Sequence, residues 1–337
     1  MIKEVIRLVK PGLFLPMFAL EDVRDSFVLI RPSYLSICAA DQRYFQGNRP
    51  PEVLAKKLPL SLFHEAVGEV LHDPSGELAP GTSCVLLPGG PSAIEKKSNY
   101  ATGAFFRSSN ADGFCQEVLS MEKSELIPLS GEPVWIYVLT ELMSVCCQAL
   151  SRLKDVTNVP NDASFGVWGD GSMGYMMART LSAFMPDADI TVFGKHDEKL
   201  LNFSFCTRRV NIQDKRDTTR VSYGFECVGG NGAQNAIRHA VDHLYPTGSL
   251  VLMGVSEIPP VFPTRLVLEK GLTILGTSRS VRADFEQAKQ LIDRDDVRNS
   301  LLKIVSARVS FQTASELGDI FIEDKNLPYK TILKKNF

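Results

Sequence analysis

Residues 164–174 constrain the fold of this chain more than any other stretch. The run Ser-Phe-Gly-Val-Trp at 164–168 reads as a short buried strand, and it leads directly into Gly169-Asp170-Gly171-Ser172-Met173-Gly174. Residues 172–184 then carry a helical pattern that Pro186 stops. A G-x-G-x-x-G taken alone says little, but between a strand and a helix it is a turn suited to a dinucleotide. Gly169 permits the tight turn, Gly171 lets a pyrophosphate approach the backbone, and Gly174 allows close helix–strand packing. Ser172 and Met173 open the helix, whose free N–H groups and dipole favour an anion.

The texture around this turn sets the fold class. Apolar runs at 190–193, 223–227, 249–254 and 272–275 alternate with helical stretches at 199–205 and 232–244, and a long apolar helix is expected at 137–153. Strands alternating with crossover helices predict an α/β domain with a doubly wound parallel sheet. Upstream the chain is strand-rich and irregular, with runs at 27–37, 67–71 and 84–87 and a turn at Asp73-Pro74-Ser75-Gly76. Helical stretches at 284–294 and 313–321 and a strand at 330–333 are too few for a third domain. The expected architecture is a Rossmann-type domain at 148–280 inserted in a split β-rich catalytic domain, 1–147 plus 281–337.

Composition narrows the function. The 337 residues include 37 basic and 39 acidic ones, a formal charge of −2, and 44% are hydrophobic. Such a balance excludes general disorder, and a pI near 6.3 offers no general attraction to nucleic acid. No apolar run approaches the ~18 residues of a membrane span, and the charged start Met-Ile-Lys-Glu-Val-Ile-Arg is unlike a secretion signal. Seven cysteines without framework spacing read as thiols of a reducing cytoplasm, some of them available to a metal.

The residues after the second strand of the nucleotide domain choose the cofactor. An NAD site usually places Asp or Glu about twenty residues beyond the glycine turn, against the ribose 2′-hydroxyl. Here the sequence is Phe193-Gly194-Lys195-His196. Loss of the carboxylate and supply of Lys195 suit a 2′-phosphate, so NADP is expected over NAD, with Lys199 a second and weaker candidate. The alternative is a solvated loop lysine at 195.

Cys38 ends a predicted strand, and His64-Glu65 stands just before Val67-Gly68-Glu69-Val70. A thiolate and an imidazole suit Zn²⁺, and a catalytic zinc keeps an open position. Spacing alone leaves open a structural thiol and a packing histidine.

Taken with the glycine turn, this order resembles the zinc-dependent medium-chain dehydrogenase/reductase superfamily over essentially the whole chain. The resemblance implies a GroES-like catalytic domain, with Cys38 and His64 as zinc ligands and Glu65 as the carboxylate beside them. Glu141, in Thr140-Glu141-Leu142, matches a further zinc-associated glutamate of sorbitol-dehydrogenase-like members, with Cys146 the runner-up. Residues 88–114 lack the four cysteines of a structural zinc, so one catalytic zinc and no structural one is expected. Ala40 stands where family members often carry a proton-relaying Ser or Thr.

A closer likeness rests on the segments 36–44, 106–109 with 112–114, 168–171, 225–230 and 276–280, which are similar to those of the ribulose-5-phosphate reductases, or ribitol-5-phosphate 2-dehydrogenases, of teichoic-acid and capsule precursor synthesis. Membership implies NADPH as hydride donor, with Cys227, Val228, Gly229 and Gly254 among the cofactor contacts. It also implies a homodimer and, in the pathway, a cytidylyltransferase that consumes the product.

Reduction of a ketose phosphate needs an electrophile for the carbonyl, a hydride donor and an anchor for the phosphate. Arg43, Arg107 and Arg279 are the candidate anchors, because a guanidinium pairs bidentately with phosphate oxygens, and Ser108 and Ser109 could add hydroxyl donors. The alternative for each arginine is a surface ion pair. Glu141, Ser36, Asp41 and a metal-bound water are equal candidates to supply the product's proton. Two other functions compete: an NAD-dependent dehydrogenase of a neutral polyol, and a catalytically silent dinucleotide-binding protein.

Overall fold

Phe165, Val167 and Trp168 are almost wholly buried, as befits a central strand covered on both faces. Ser164–Trp168 pairs in parallel with Asp189–Gly194 on one side and with Val221–Glu226 on the other. The complete sheet has six strands in the order Arg208–Asn211, Asp189–Gly194, Ser164–Trp168, Val221–Glu226, Leu244–Leu252, Thr273–Gly276. All its neighbouring pairs are parallel. The strand order reverses beside Ser164–Trp168, the point at which such sheets bind ligands. This is a Rossmann-type doubly wound sheet.

The structure is a computed structural model that describes residues 1–90, 100, 103–214 and 216–337. It divides into two compact units. The first comprises Met1–Glu141, Arg279–Asp293 and Val305–Phe337, and the second Leu142–Ser278 and Arg294–Ile304. The division differs from 1–147 plus 281–337 and 148–280 chiefly in the short segment Arg294–Ile304. That segment is held in the second unit by Tyr175, whose hydroxyl donates to the Ser300 carbonyl at 2.9 Å, and by the Arg179–Asp296 ion pair.

In the first unit a seven-stranded sheet is centred on Val28–Ser36, which pairs with Lys330–Lys335, Ala66–His72 and Leu119–Met121. Its register sets Ile332 opposite Ser36 and Leu35 opposite Ala66, so the chain's last strand runs beside the segments that carry Cys38 and Glu65. The core beneath includes Ile30, Leu62, Phe63, Phe114 and Phe321, all inaccessible to solvent.

Several elements escape the apolar pattern. Residues 199–205 form only one helical turn, Asp197–Leu200, and a 3-10 turn, Leu201–Phe203. Arg208–Asn211 and Val305–Phe311 are edge strands whose outward residues are polar, so neither shows the run of a buried strand. The apolar helical stretch at 134–156 is long enough to cross a bilayer, but most of it is buried inside the protein, which makes it a core helix.

Candidate active site

Among the described residues, one cluster could hold a metal ion: Cys38, His64 and Glu65, whose ligand atoms lie within 4.8 Å of one another. Cys38 immediately precedes helix Ala39–Phe45, and His64 and Glu65 lead into strand Ala66–His72. The turn before His64 is forced. Phe63 has φ of 74°, a genuine outlier for a bulky residue. Residues 113–114 clamp it: Gly113 N–H donates to the Ser61 carbonyl at 2.8 Å and Phe114 N–H to the Phe63 carbonyl at 2.9 Å. A Cβ on Gly113 would fall 2.1 Å from the Leu62 oxygen, so only glycine fits.

Asp41 ties this cluster together. Its Oδ2 accepts the Cys38 N–H at 3.1 Å, and its Oδ1 accepts the Phe63 N–H at 3.1 Å and the Ser108 hydroxyl at 2.7 Å. The same Oδ1 lies 4.0 Å from His64 Nδ1. Acting as acceptor to three donors, fully buried Asp41 is a positioning carboxylate. That role argues against Asp41 as the source of the product's proton, and Ser108 spends its hydroxyl on Asp41 instead of offering it to a phosphate.

Glu65 is held by one oxygen only. Lys330 Nζ donates to Glu65 Oε1 at 2.6 Å and to the Ile37 carbonyl at 2.9 Å, while Glu65 Oε2 is buried with no hydrogen-bond partner among the described residues. A buried orphan carboxylate oxygen is costly. Set beside a thiol and an imidazole, it completes a donor set that fits Zn²⁺. Burial alone would lower the Lys330 ammonium, but Glu65 and the Cys38 sulfur hold it above its ordinary value. Burial likewise pulls the His64 imidazole down, and the Cys38 sulfur, Asp41 and Glu141 outweigh it, leaving His64 well above its ordinary value.

Glu141 lies outside the three-residue cluster but within electrostatic reach of His64 and Glu65. Burial pushes its carboxyl up to about 7, against the pull of His64 and with Glu65 adding to the rise. It lines a cavity with Gly89, Gly90, Phe106, Arg279 and Ser280, and the Phe106 ring centroid is 5.4 Å from that of His64. The Cys146 Sγ meets the Leu142 carbonyl and, at 3.8 Å, Met173 Sδ.

The second unit supplies the dinucleotide turn. A Cβ on Gly174 would sit 1.9 Å from the Gly169 oxygen, so the helix packs on the turn only as glycine, whereas a Cβ on Gly171 would meet nothing within 4 Å. That open approach is what a pyrophosphate requires. Asp170 organises the selectivity turn: its Oδ2 accepts the N–H groups of Lys195 at 2.7 Å and His196 at 2.8 Å, and lies 2.9 Å from His196 Nδ1. Burial would raise the Asp170 carboxyl, but those bonds hold it below its ordinary value. Glu226 does the same for the next loops, accepting from Val228 and Gly229 through Oε1 and from Gly254 through Oε2. Cys227 is buried, its Sγ 3.8 Å from Met253 Sδ.

No known family model matches the chain. It is 41% identical to ribulose-5-phosphate reductase 2 of Staphylococcus aureus, with 99% of both chains aligned. It is also 37% identical to the ribulose-5-phosphate reductase of Bacillus spizizenii, again over 99% of both. The chain belongs to the ribulose-5-phosphate reductase family. The crystal structure of S. aureus TarJ in complex with NADPH superposes on it with a TM-score of 0.88 over 100% of both chains, at 37% identity.

Within this reductase the three candidate arginines lie on different segments of the chain. Arg279 has φ of 60° and lines the Glu141 cavity. Arg43 lies in the last turn of the helix that Cys38 precedes. Arg107 stacks over Phe105 and Phe114, at 5.7 and 5.4 Å, and lines a separate cavity with Lys3, Arg7, Glu21 and Asp112. Three of the four non-glycine residues with positive φ among the described residues, Phe63, Ser108 and Arg279, surround this reductase's site, where such strain concentrates. The absence of a structural zinc concerns residues 88–114, of which 91–99 and 101–102 lie outside the described residues.

Proposed function

We propose that the chain reduces D-ribulose 5-phosphate to D-ribitol 5-phosphate with NADPH, using one catalytic zinc and no structural one. The observation that carries this reading is full-length identity of 41% with a curated ribulose-5-phosphate reductase. Cys38, His64 and Glu65 would hold a zinc ion, which when bound would supply a Lewis acid for the carbonyl oxygen, and bound NADPH would supply the hydride. The chain's own residues prepare that chemistry. Lys330 retains Glu65 Oε1 and leaves Oε2 available, and Asp41 fixes the backbone at Cys38 and Phe63. Glu141 is proposed as the further carboxylate at the metal, directly or through water, with a buried carboxyl group able to hold a proton.

NADPH is proposed to rest on Gly169, Gly171, Ser172, Met173 and Gly174, with Gly194, Lys195 and His196 at its 2′-phosphate and Cys227, Val228, Gly229 and Gly254 along its remaining length. Of the phosphate anchors, Arg279 has the strongest support because it shares a cavity with Glu141. Arg43 remains a candidate, and Arg107 has the weakest claim because it lines a different cavity. A homodimer, a cytoplasmic location and a cytidylyltransferase that takes the product toward CDP-ribitol and teichoic acid or capsule complete the proposal. Family membership supports them.

A substrate panel tests it. NADPH oxidation should be much faster with D-ribulose 5-phosphate than with D-ribulose, and faster than NADH oxidation. Equal kcat/KM for the free and phosphorylated sugars would favour the neutral-polyol reading instead.

A further inference from the structure

A ketose phosphate needs a cationic anchor a short carbon chain away from the metal, and of the arginines singled out by sequence Arg279 lines the Glu141 cavity while Arg107 lines another. Another group of cations lies closer to the purpose. Lys57 ends helix Pro51–Lys57, and its Nζ donates to Ser109 Oγ at 3.1 Å. The neighbouring Ser108, strained at φ of 61°, donates its hydroxyl to Asp41 Oδ1 at 2.7 Å. Asp41 in turn holds the Cys38 N–H and the Phe63 N–H, each at 3.1 Å. Lys57 is therefore linked by one serine pair and one carboxylate to both segments that bear the metal cluster.

Among the described residues, the charges that act most on Lys57 are cations. Burial lowers its pKa first, and Arg49, Lys56 and Arg279 lower it further. Arg49 lays its guanidinium over the Tyr44 ring at 4.4 Å. Arg279 adopts the left-handed backbone at φ of 60° and lines the cavity with Glu141 and Phe106. Gathering like charges costs free energy that a bound anion offsets.

We propose that Lys57 and Ser109, with the guanidinium groups of Arg49 and Arg279, form the subsite for the substrate's phosphate. The inference rests on the sugar-phosphate reductase reading above and deepens it. Lys57 supplies a charge-assisted hydrogen bond to a phosphate oxygen, Ser109 orients the ammonium, and the Ser108–Asp41 bond carries the position of this loop to the metal cluster. Arg107, stacked on aromatic rings at another cavity, is a structural cation in this account.

The test compares wild type with Lys57→Met, Lys57→Arg and Ser109→Ala on D-ribulose 5-phosphate and D-ribulose, with inorganic phosphate as a competing probe. Loss of one charge-assisted bond should cut kcat/KM for the phosphorylated sugar about ten- to a hundred-fold in Lys57→Met. The free sugar should change far less, and inorganic phosphate should lose most of its inhibition. Lys57→Arg should recover much of the loss, and NADPH affinity, read by fluorescence, should report intact folding in all variants. If Lys57→Met keeps the wild-type preference for the phosphorylated sugar, or loses both substrates equally, this inference fails and the reductase reading stands. If wild type itself shows no preference for the phosphorylated sugar, both fail together.

Discussion

Replacing Lys330 with Met should expose how the metal cluster is held. Lys330 Nζ and Glu65 Oε1 are 2.6 Å apart, with side chains 8% and 0% exposed. At an effective dielectric of ~20 their gross attraction is about 6 kcal/mol. Part of that is offset by the cost of removing both charges from water, and breaking such a pair from one side typically costs about 3–5 kcal/mol. Lys330→Met leaves the Glu65 carboxylate without its partner and also removes the donor to the Ile37 carbonyl. Urea unfolding of chelator-treated protein should therefore show a loss in that range. Glu65→Gln, which leaves a buried ammonium, should be costly as well. The double variant removes both charges and should be at least about 2 kcal/mol more stable than the sum of the single losses predicts. Zinc affinity, read by competition with a chromophoric chelator, should fall in Lys330→Met because Glu65 is no longer fixed through one oxygen. Additive single losses with unchanged zinc affinity would refute the reasoning.

Three further outcomes follow from the geometry. Lys195→Ala should weaken NADPH about ten- to a hundred-fold and NADH much less, since only the former carries the 2′-phosphate; equal weakening in fluorescence titrations would give Lys195 another role. Asp170→Asn should weaken NADPH as well, because the carboxylate that accepts three bonds from the Lys195–His196 turn is lost, and unchanged affinity would show that the turn needs no such clamp. His239 is lowered from an ordinary 6.5 to about 4, by burial first and then by the charge of His243. Between those values the unfolded chain binds a proton that the folded chain refuses, so stability is complete above pH 6.5 and is lost as pH falls toward 4. His239→Gln should flatten that loss in urea titrations, and an identical slope would assign it to other groups.

The readable part of the sequence was the part in which local order and function coincide. The strand–glycine turn–helix unit and the Cys38, His64-Glu65 order each lie within short stretches, and the structure brings Cys38, His64 and Glu65 together. Lys330 was not legible, because it meets Glu65 across 265 residues of sequence and looks like an ordinary strand-end lysine until the register sets its strand beside Val28–Ser36. Asp41 was weighed as a proton source, yet its three accepted hydrogen bonds make it a brace, and only the folded loops reveal those donors. Arg107 lies in a motif beside the site's loops, and only the fold shows its side chain over the aromatic rings of Phe105 and Phe114. Lys57 carried one local signal, a lysine closing a short helix, which no spacing rule connects to Ser109.

The reaction proposed for Cys38, His64 and Glu65 is a zinc-dependent reduction of ribulose 5-phosphate. Its most direct test is NADPH oxidation with D-ribulose 5-phosphate before chelation, after chelation and after return of Zn²⁺, alongside Cys38→Ser and His64→Ala with zinc content measured in each. Activity should vanish on chelation and return with zinc, ribitol 5-phosphate should form in step with NADPH consumed, and both variants should be folded, poor in zinc and inactive. Undiminished turnover by metal-free enzyme, or near wild-type rates in either variant, would contradict it.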